Sequence, residues 1–99
     1  MIDFHNKKIS MVRGDTNPPL QINFSREIDG AIFSVKKNIN DTEYILQKQI
    51  VDGLLKFEHE DTNTLDAGEY VFDIQVVYDG EIETPLIGTF KLIADVTRE

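Results

Sequence analysis

Two short segments of the chain contain residue types that could do chemistry. Arg13-Gly14-Asp15 matches the tripeptide that integrins read in adhesion proteins. His59 lies within an acidic run, residues 58–61, where carboxylates could hold a protonated imidazole or bind a cation. A third set, Glu81 and Glu83, places two carboxylates on one face of a predicted strand. Each set also has a purely structural explanation.

The structural explanation is favoured for all three sets. Tripeptides recur by chance, so Arg13-Gly14-Asp15 is predicted to be a turn that ends the first strand, with no role in adhesion. The acidic run is predicted to be a solvated loop, and Glu81 and Glu83 are predicted to face water. His5 and His59 lack a His-x-x-x-His spacing, and residues 61–65 lack the Gly and the final Glu of an EF-hand loop. We therefore predict no metal site.

The residues needed for covalent catalysis are missing from the sequence. The chain has no Cys, its serines stand at positions 10, 25 and 34, and it has no Gly-x-Ser-x-Gly segment. It also has no glycine-rich phosphate loop. We predict a protein that is not an enzyme, with no catalytic residue and no cofactor.

The composition limits the classes of partner. Ninety-nine residues predict a single domain, residues 1–99. The formal net charge of −8 disfavours binding to nucleic acid or to anionic membranes, because both are negatively charged. Without Cys, stability has to come from packing. Residues 1–8 have no apolar run, so we expect neither a signal peptide nor a membrane span there.

Alternation of apolar and polar residues predicts strands throughout the chain. The longest is 70–78, in which Tyr70, Phe72, Ile74, Val76 and Tyr78 would share one face because side chains in a strand alternate. Prolines 18 and 19 interrupt the chain after the first strand, and Pro85 is expected to interrupt the last one. The predicted strands are Ile9–Arg13, Leu20–Ser25, Ala31–Lys36, Leu54–Glu58, Tyr70–Tyr78, Glu81–Thr84 and Leu86–Ile93.

The remaining segments are predicted to be turns and loops. Asp29-Gly30, Asp52-Gly53 and Asp79-Gly80 are hairpin signals, because Asp-Gly suits the left-handed dihedrals of a two-residue turn. Residues 37–42 are predicted to be a loop, and residues 60–66 a loop or a short helical turn. Residues 43–51 suit either a strand or a helical turn. No window has a 3.6-residue apolar period, so no helix longer than about two turns is expected.

These elements predict an all-β fold, an immunoglobulin-like antiparallel β-sandwich of seven to eight strands. A polar turn through Leu65 and Gly68 leads to Tyr70 at the start of the longest strand, which is typical of a tyrosine corner. Phe72 stands where antibody domains have a Cys. The predicted core is Leu20, Ile22, Phe24, Phe33, Val35, Leu55, Phe57, Leu65, Tyr70, Phe72, Ile74, Val76, Phe90 and Leu92.

Three segments together resemble a family of small phage and prophage proteins. They are Val12-Arg-Gly-Asp-Thr16, Thr64-Leu-x-x-Gly68-x-Tyr70-x-x-Asp73-Ile-Gln75, and Gly88-x-Phe90-x-Leu-x-x-Asp95-Val-Thr-Arg98. The pattern is similar to the immunoglobulin-like N-terminal domain of baseplate upper proteins. The departure is Asn17-Pro18-Pro19, where the family tends to enter a strand directly. The resemblance implies a non-catalytic structural role in a tail or baseplate.

Function is therefore expected to come from assembly. The expected partners are other phage structural proteins, a second copy of the chain, or both, in the virion or in the cytoplasm of a bacterial host. Sheet edges carry backbone groups that can add a neighbour's strand, and Pro18, Pro19 and Pro85 are predicted to protect some of those edges. The alternative is a bacterial adhesion or carbohydrate-binding sandwich, for which Tyr44 and Tyr78 would be the aromatic contacts.

Overall fold

The computed structural model describes residues 3–5, 7–16, 19–24 and 27–95. Asn17, Pro18, Ser25 and residues 96–98, which enter the predictions above, lie outside the described residues. Within the described ranges the chain forms eight strands and one four-residue helix, so the expected dominance of β structure is confirmed. The elements are β1 Asp3–His5, β2 Lys8–Val12, β3 Leu20–Gln21, β4 Gly30–Lys36, β5 Leu46–Gln49, β6 Leu54–Leu55, α1 His59–Thr62, β7 Gly68–Tyr78 and β8 Glu81–Ile93.

The strands form a large mixed sheet and a small second sheet. The large sheet has the order β1-β2-β8-β7-β4-β5, and the small one pairs β3 with β6. In the large sheet β2 runs parallel to β8, while its other pairs are antiparallel. In the part of the chain that the structure describes, no helix is long and apolar enough to cross a membrane.

The two strongest predicted turns are present. Asp79 and Gly80 have φ angles of 50° and 79°, and Tyr78 pairs with Glu81 across them. Asp52 and Gly53 have φ angles of 55° and 75°. Two consecutive left-handed residues match the right-handed twist of the flanking strands, which is why Asp-Gly is favoured at such positions.

Pro85 does not interrupt the last strand, contrary to the prediction. β8 continues through it from Glu81 to Ile93. The pairing between β7 and β8 instead shifts at this point, because Ile74 pairs with Leu86 whereas Val76 pairs with Glu83. A bulge of this kind leaves an extra residue unpaired, so a proline can be accommodated without ending the ladder.

Several predicted strand boundaries were wrong. Strand β6 is only Leu54–Leu55, not 54–58. Of the strand predicted over 20–25, the structure describes 20–24, and only Leu20–Gln21 is a strand. The Ile22 N–H still donates in register to the Gly53 carbonyl at 2.7 Å, beyond the last assigned pair. The first strand ends at Val12, and β1 was not predicted at all. The ambiguous segment 43–51 contains a strand, Leu46–Gln49, and no helical turn.

One hydrophobic cluster lies between the two sheets. Its centre is a group of four phenylalanines, Phe33, Phe57, Phe72 and Phe90, which are all at most 2 % exposed. Phe33 contacts the other three rings at centroid distances of 5.4–5.8 Å. The predicted core is largely confirmed, except that Leu20, Phe24, Leu65 and Tyr70 are only partly buried. Among the described residues, the prediction missed four buried apolar ones, Ile9, Met11, Ala31 and Ile50.

Candidate interaction surfaces

The tripeptide Arg13-Gly14-Asp15 forms a turn at the end of β2, as predicted. The Asp15 N–H donates to the Val12 carbonyl at 3.2 Å, and Gly14 has a φ of 82°, which favours glycine. The Gly14 N–H donates to the hydroxyl of Thr62 at 2.7 Å. Thr62 is fully buried in α1, so this hydrogen bond fixes the turn against the helix.

The Arg13 side chain points into the fold. Its Nε and Nη2 donate to Asp95 Oδ1 at 3.1 and 2.9 Å, and its Nη1 donates to the Leu65 carbonyl at 3.2 Å. The Arg13 and Asp95 side chains are 10 % and 22 % exposed. A guanidinium held in this way joins residues that lie 82 positions apart in the chain. The structure thus supports a structural role for the tripeptide.

We expect Arg13→Met to lower the free energy of unfolding by about 2 kcal/mol. The methionine keeps the apolar stem but leaves Asp95 and the Leu65 carbonyl without the guanidinium, and breaking a largely buried ion pair is destabilising. The partial exposure of Asp95 reduces the effect. Urea denaturation measures it, with Lys37→Met as the control, because Lys37 is exposed and the same charge is lost. Equal midpoints for the two variants would contradict the role of Arg13.

The acidic run is only partly a solvated loop. His59, Glu58 and Glu60 are exposed, but the Asp61 side chain is 17 % exposed and pairs with Lys48 Nζ at 2.6 Å. Asp61 Oδ2 also accepts the Glu58 N–H at 2.7 Å, which caps α1. His59 Nδ1 lies 2.8 Å from the Gly14 carbonyl oxygen, so that nitrogen carries the proton.

Within the described ranges, no group of three or more His, Asp or Glu side chains is placed to hold a metal ion. Glu81 and Glu83 are exposed, as predicted. They share a face with Tyr78 and Val76, since these are their partners across the hairpin.

The Tyr70 hydroxyl donates to the backbone carbonyl of Asp66 at 2.6 Å, where the sequence predicted such a bond. Burial is the main cause that raises the pKa of Tyr70 above 10.0, and Asp66 raises it further, while Arg13 acts in the opposite direction. The phenol therefore stays protonated at neutral pH and keeps its donor. This bond joins the start of β7 to the segment that precedes it.

Replacing Tyr70 by Phe is expected to lower the free energy of unfolding by about 0.5–1.5 kcal/mol, which is the net value of one hydrogen bond. The ring would stay in place, so the change isolates the hydroxyl. Chemical denaturation of Tyr70→Phe beside Tyr44→Phe measures it, because Tyr44 is an exposed tyrosine in a loop. A midpoint unchanged from wild type would show that the Asp66 bond adds nothing to stability.

The outer face of the large sheet holds a small cleft around Asp73. Ser34, Asp73, Tyr44 and Ile87 are among the residues that line it. Lys36 Nζ lies 4.9 Å above the centroid of the Tyr44 ring. Asp73 Oδ1 is buried without a hydrogen-bond partner. The sequence placed Asp73 within the family-like segment but assigned it no role; its only signal was a charge at an outward position between Val71 and Gln75.

Burial raises the pKa of the Asp73 carboxyl above 3.8, and Lys36 opposes this shift. The folded protein therefore binds this proton more tightly than the unfolded chain does, so Asp73 stabilises the fold most below its ordinary pKa and loses that contribution as pH rises through its folded pKa. We expect the free energy of unfolding of Asp73→Asn, relative to wild type, to increase between pH 4 and pH 7 (roughly the range above the ordinary carboxyl pKa). Urea titrations at several pH values measure the difference, and a pH-independent difference would refute the assignment.

Several large apolar side chains are exposed on the outer face of the large sheet. Val77 and Ile82 lie directly opposite each other on β7 and β8, and are 37 % and 70 % exposed. Ile32 on β4 and Ile87 on β8 are 39 % and 52 % exposed. The sequence placed Ile32 out of phase with the predicted core of its strand, but it assigned no position to Ile82. Single exposed apolar residues are normal, but neighbours on one sheet face form a surface suited to contact with another protein.

Two stretches of sheet edge lie beside this face. Strand β5 is the last strand on one side of the sheet. On the other side, β2 pairs with β8 only from Thr89 to Ile93, so among the described residues the stretch 81–88 of β8 has a partner on one side alone. Pro85 lies in this stretch, which agrees with the predicted protection of edges by proline. Comparison with protein-family models, with curated proteins and with solved structures finds no match to the chain.

Proposed function

We propose that this protein is a non-catalytic structural module of a phage or prophage tail or baseplate, which acts by assembling with other structural proteins, with itself, or with both. The observation that carries the proposal is the exposed apolar face of the large sheet, with partly unpaired strands beside it. Such a surface favours contact with protein, because it offers apolar area and backbone hydrogen-bonding groups together. The proposed location is the virion, or the bacterial host cytoplasm during assembly.

The proposed fold is an immunoglobulin-like β-sandwich with a tyrosine corner. Its second layer would be the β3–β6 pair, whose Leu55 belongs to the same core cluster as Phe33 and Phe90. The hydrogen bond from Tyr70 to the Asp66 carbonyl has the geometry of such a corner, since the phenol donates to the backbone a few residues upstream in the chain.

The contacts of Arg13 support the family resemblance. The three segments that carry it each contribute to this one cluster: Arg13 from the first, Leu65 from the second and Asp95 from the third. These residues hold distant parts of the fold together. That structural role agrees with the resemblance, which implies no catalytic residue. The phage assignment itself rests on the resemblance.

The proposal is tested by measuring mass in solution. The purified chain would be analysed by light scattering coupled to size exclusion, alone and mixed with the products of the neighbouring genes. A complex with a tail component, or a defined oligomer, is the expected result. A chain that stays monomeric and binds none of these components would contradict the proposal.

The alternative is a bacterial surface adhesion or carbohydrate-binding module, and the cleft around Asp73 favours it. Tyr44 is 44 % exposed there, next to Lys36 and Asp73, so an aromatic face and polar groups lie together. A saturable binding isotherm for a glycan, weakened by Tyr44→Ala, would support this alternative over assembly.

A further inference from the structure

The tip of the β7–β8 hairpin combines three features that together define a docking surface. The first is the hairpin-tip patch, which consists of Ile32, Val77 and Ile82. Val77 and Ile82 are cross-strand neighbours. Ile32 lies on the adjacent strand β4, two residues after Gly30, which pairs with Val77, so Ile32 and Val77 are diagonal neighbours on the same face. Ile82 is the most exposed large apolar residue among those described, at 70 %. Burial of these three side chains would contribute favourable free energy on association.

The second feature is the unpaired side of β8 at the same place. Because the hairpin closes with the pair Tyr78–Glu81, the next pair is of the non-bonded kind, and the N–H and C=O of Ile82 point away from β7. No described strand pairs with β8 on that side before Thr89. Pro85 has no N–H, so a ladder added here would be limited to 81–84. The edge therefore accepts a short strand in a restricted register.

The third feature is the charge around the patch. The depressions next to it are lined by Glu27, Asp29, Asp52 and Asp79, and no described lysine or arginine lines them. The whole chain carries a net charge of −8. If two copies met through this patch about a twofold axis, their acidic rims would face each other and repel. The charge therefore selects a different partner with basic residues.

We propose that the hairpin-tip patch binds an extended, basic segment of a partner protein, which adds a strand to β8 at 81–84 and covers Ile82 with its apolar side chains. This inference rests on the proposed assembly function and names its partner surface. Because side chains alternate along a strand, the lysine or arginine side chains of the segment would lie on the other face, beside the exposed carboxylates of Glu81 and Glu83. Backbone hydrogen bonds would supply affinity, and the alternate side chains would supply specificity.

The test uses a synthetic probe, the peptide Lys-Val-Arg-Val-Lys-Val with blocked ends, titrated into the ¹⁵N-labelled full chain. The acidic peptide Glu-Val-Glu-Val-Glu-Val tests the charge, and a version of the basic peptide N-methylated at alternate residues tests the added strand. Ile82→Ser tests the patch. Ile39→Ser is its matched control, because Ile39 is 63 % exposed but lies in the loop between β4 and β5.

We expect the basic peptide to shift the amide resonances of Glu81–Thr84 and Val77, and to bind about tenfold more weakly to Ile82→Ser than to wild type. Ile39→Ser is expected to bind as wild type does, and the acidic and N-methylated peptides are expected to leave these resonances unchanged. Binding should weaken as salt increases, because the carboxylates are exposed. No shift at about 1 mM peptide, shifts elsewhere on the sheet, or equal loss in both variants would overturn the inference.

These outcomes can be separated from those of the proposed function. If a tail component binds the chain and Ile82→Ser does not weaken that complex, the inference fails while the assembly function stands. If the peptide binds at 81–84 while no structural protein binds, the surface stands and the phage assignment fails.

Discussion

Gly88→Ala is expected to destabilise the protein by about 3 kcal/mol or more. A Cβ at this position would collide with the backbone carbonyl oxygen of Lys7 and would lie 2.8 Å from Cε1 of Phe72. The backbone cannot yield locally, because the Thr89 N–H donates to the same Lys7 carbonyl at 3.0 Å, at the start of the parallel β2–β8 ladder. Relief requires β2 to move away, which would expose buried Ile9 and Met11, each worth about 1.5–3 kcal/mol of burial.

The matched control for this experiment is Gly30→Ala. Gly30 also lies in a strand, but a Cβ there would meet nothing within 4 Å. An alanine without strain restricts the unfolded chain, so this variant is expected to be unchanged or more stable by up to about 1 kcal/mol. Urea denaturation of both variants measures the contrast. Similar midpoints for the two would show that the close approach of Lys7 to Gly88 does not govern stability.

The parts of the fold that depend on local sequence could be predicted. Apolar alternation placed β4 and β7 almost to the residue, because one face of each strand is buried and the other is not. The Asp79-Gly80 and Asp52-Gly53 dipeptides correctly predicted two turns, because the left-handed dihedrals required there are local properties of these residues. The Tyr70 bond to the Asp66 carbonyl spans only four positions and was likewise within reach of the sequence.

The parts that depend on distant contacts could not be predicted. In the short segment 8–12, the apolar residues Ile9 and Met11 alternate with polar ones, but nothing in the segment says that it will lie parallel to the end of β8. The ion pair between Arg13 and Asp95 needs that same parallel pairing, so the tripeptide could be interpreted as a turn without a role for its guanidinium. Pro85 was misinterpreted because a bulge depends on two strands, whereas proline's local effect is to break one.

The candidate surfaces show the same division. The apolar residue Ile32 is out of phase with the core, which the sequence pattern reveals, but its closeness to Val77 and Ile82 depends on the pairing of β4, β7 and β8. Asp73 is a single outward charge in the sequence, and its buried, unpartnered oxygen follows only from the neighbouring strands. Tertiary structure thus supplies the proximity that gives these residues a role.

The second large effect is expected for Phe33→Ala, which should lower the free energy of unfolding by about 3–5 kcal/mol. Phe33 is fully buried on β4, and its ring contacts those of Phe57, Phe72 and Phe90. Phe57 follows β6, whereas Phe72 and Phe90 lie on β7 and β8, so this one ring joins the second sheet to three strands of the first. Truncation would leave a cavity lined by three aromatic rings that cannot all move inward.

Two further variants separate the cavity from the loss of apolar area. Phe33→Leu keeps most of the volume and is expected to cost less than about 1.5 kcal/mol. Phe24→Ala removes the same atoms from a partly buried ring that only borders the core, and should be clearly milder than Phe33→Ala. Thermal unfolding of Phe33→Ala should show a midpoint lowered by more than about 12 °C, given the entropy of unfolding of a domain of this size. If Phe24→Ala were as destabilising as Phe33→Ala, the four-ring contact would not be the element that holds the two sheets together, and the stability of the fold would instead follow from apolar area alone.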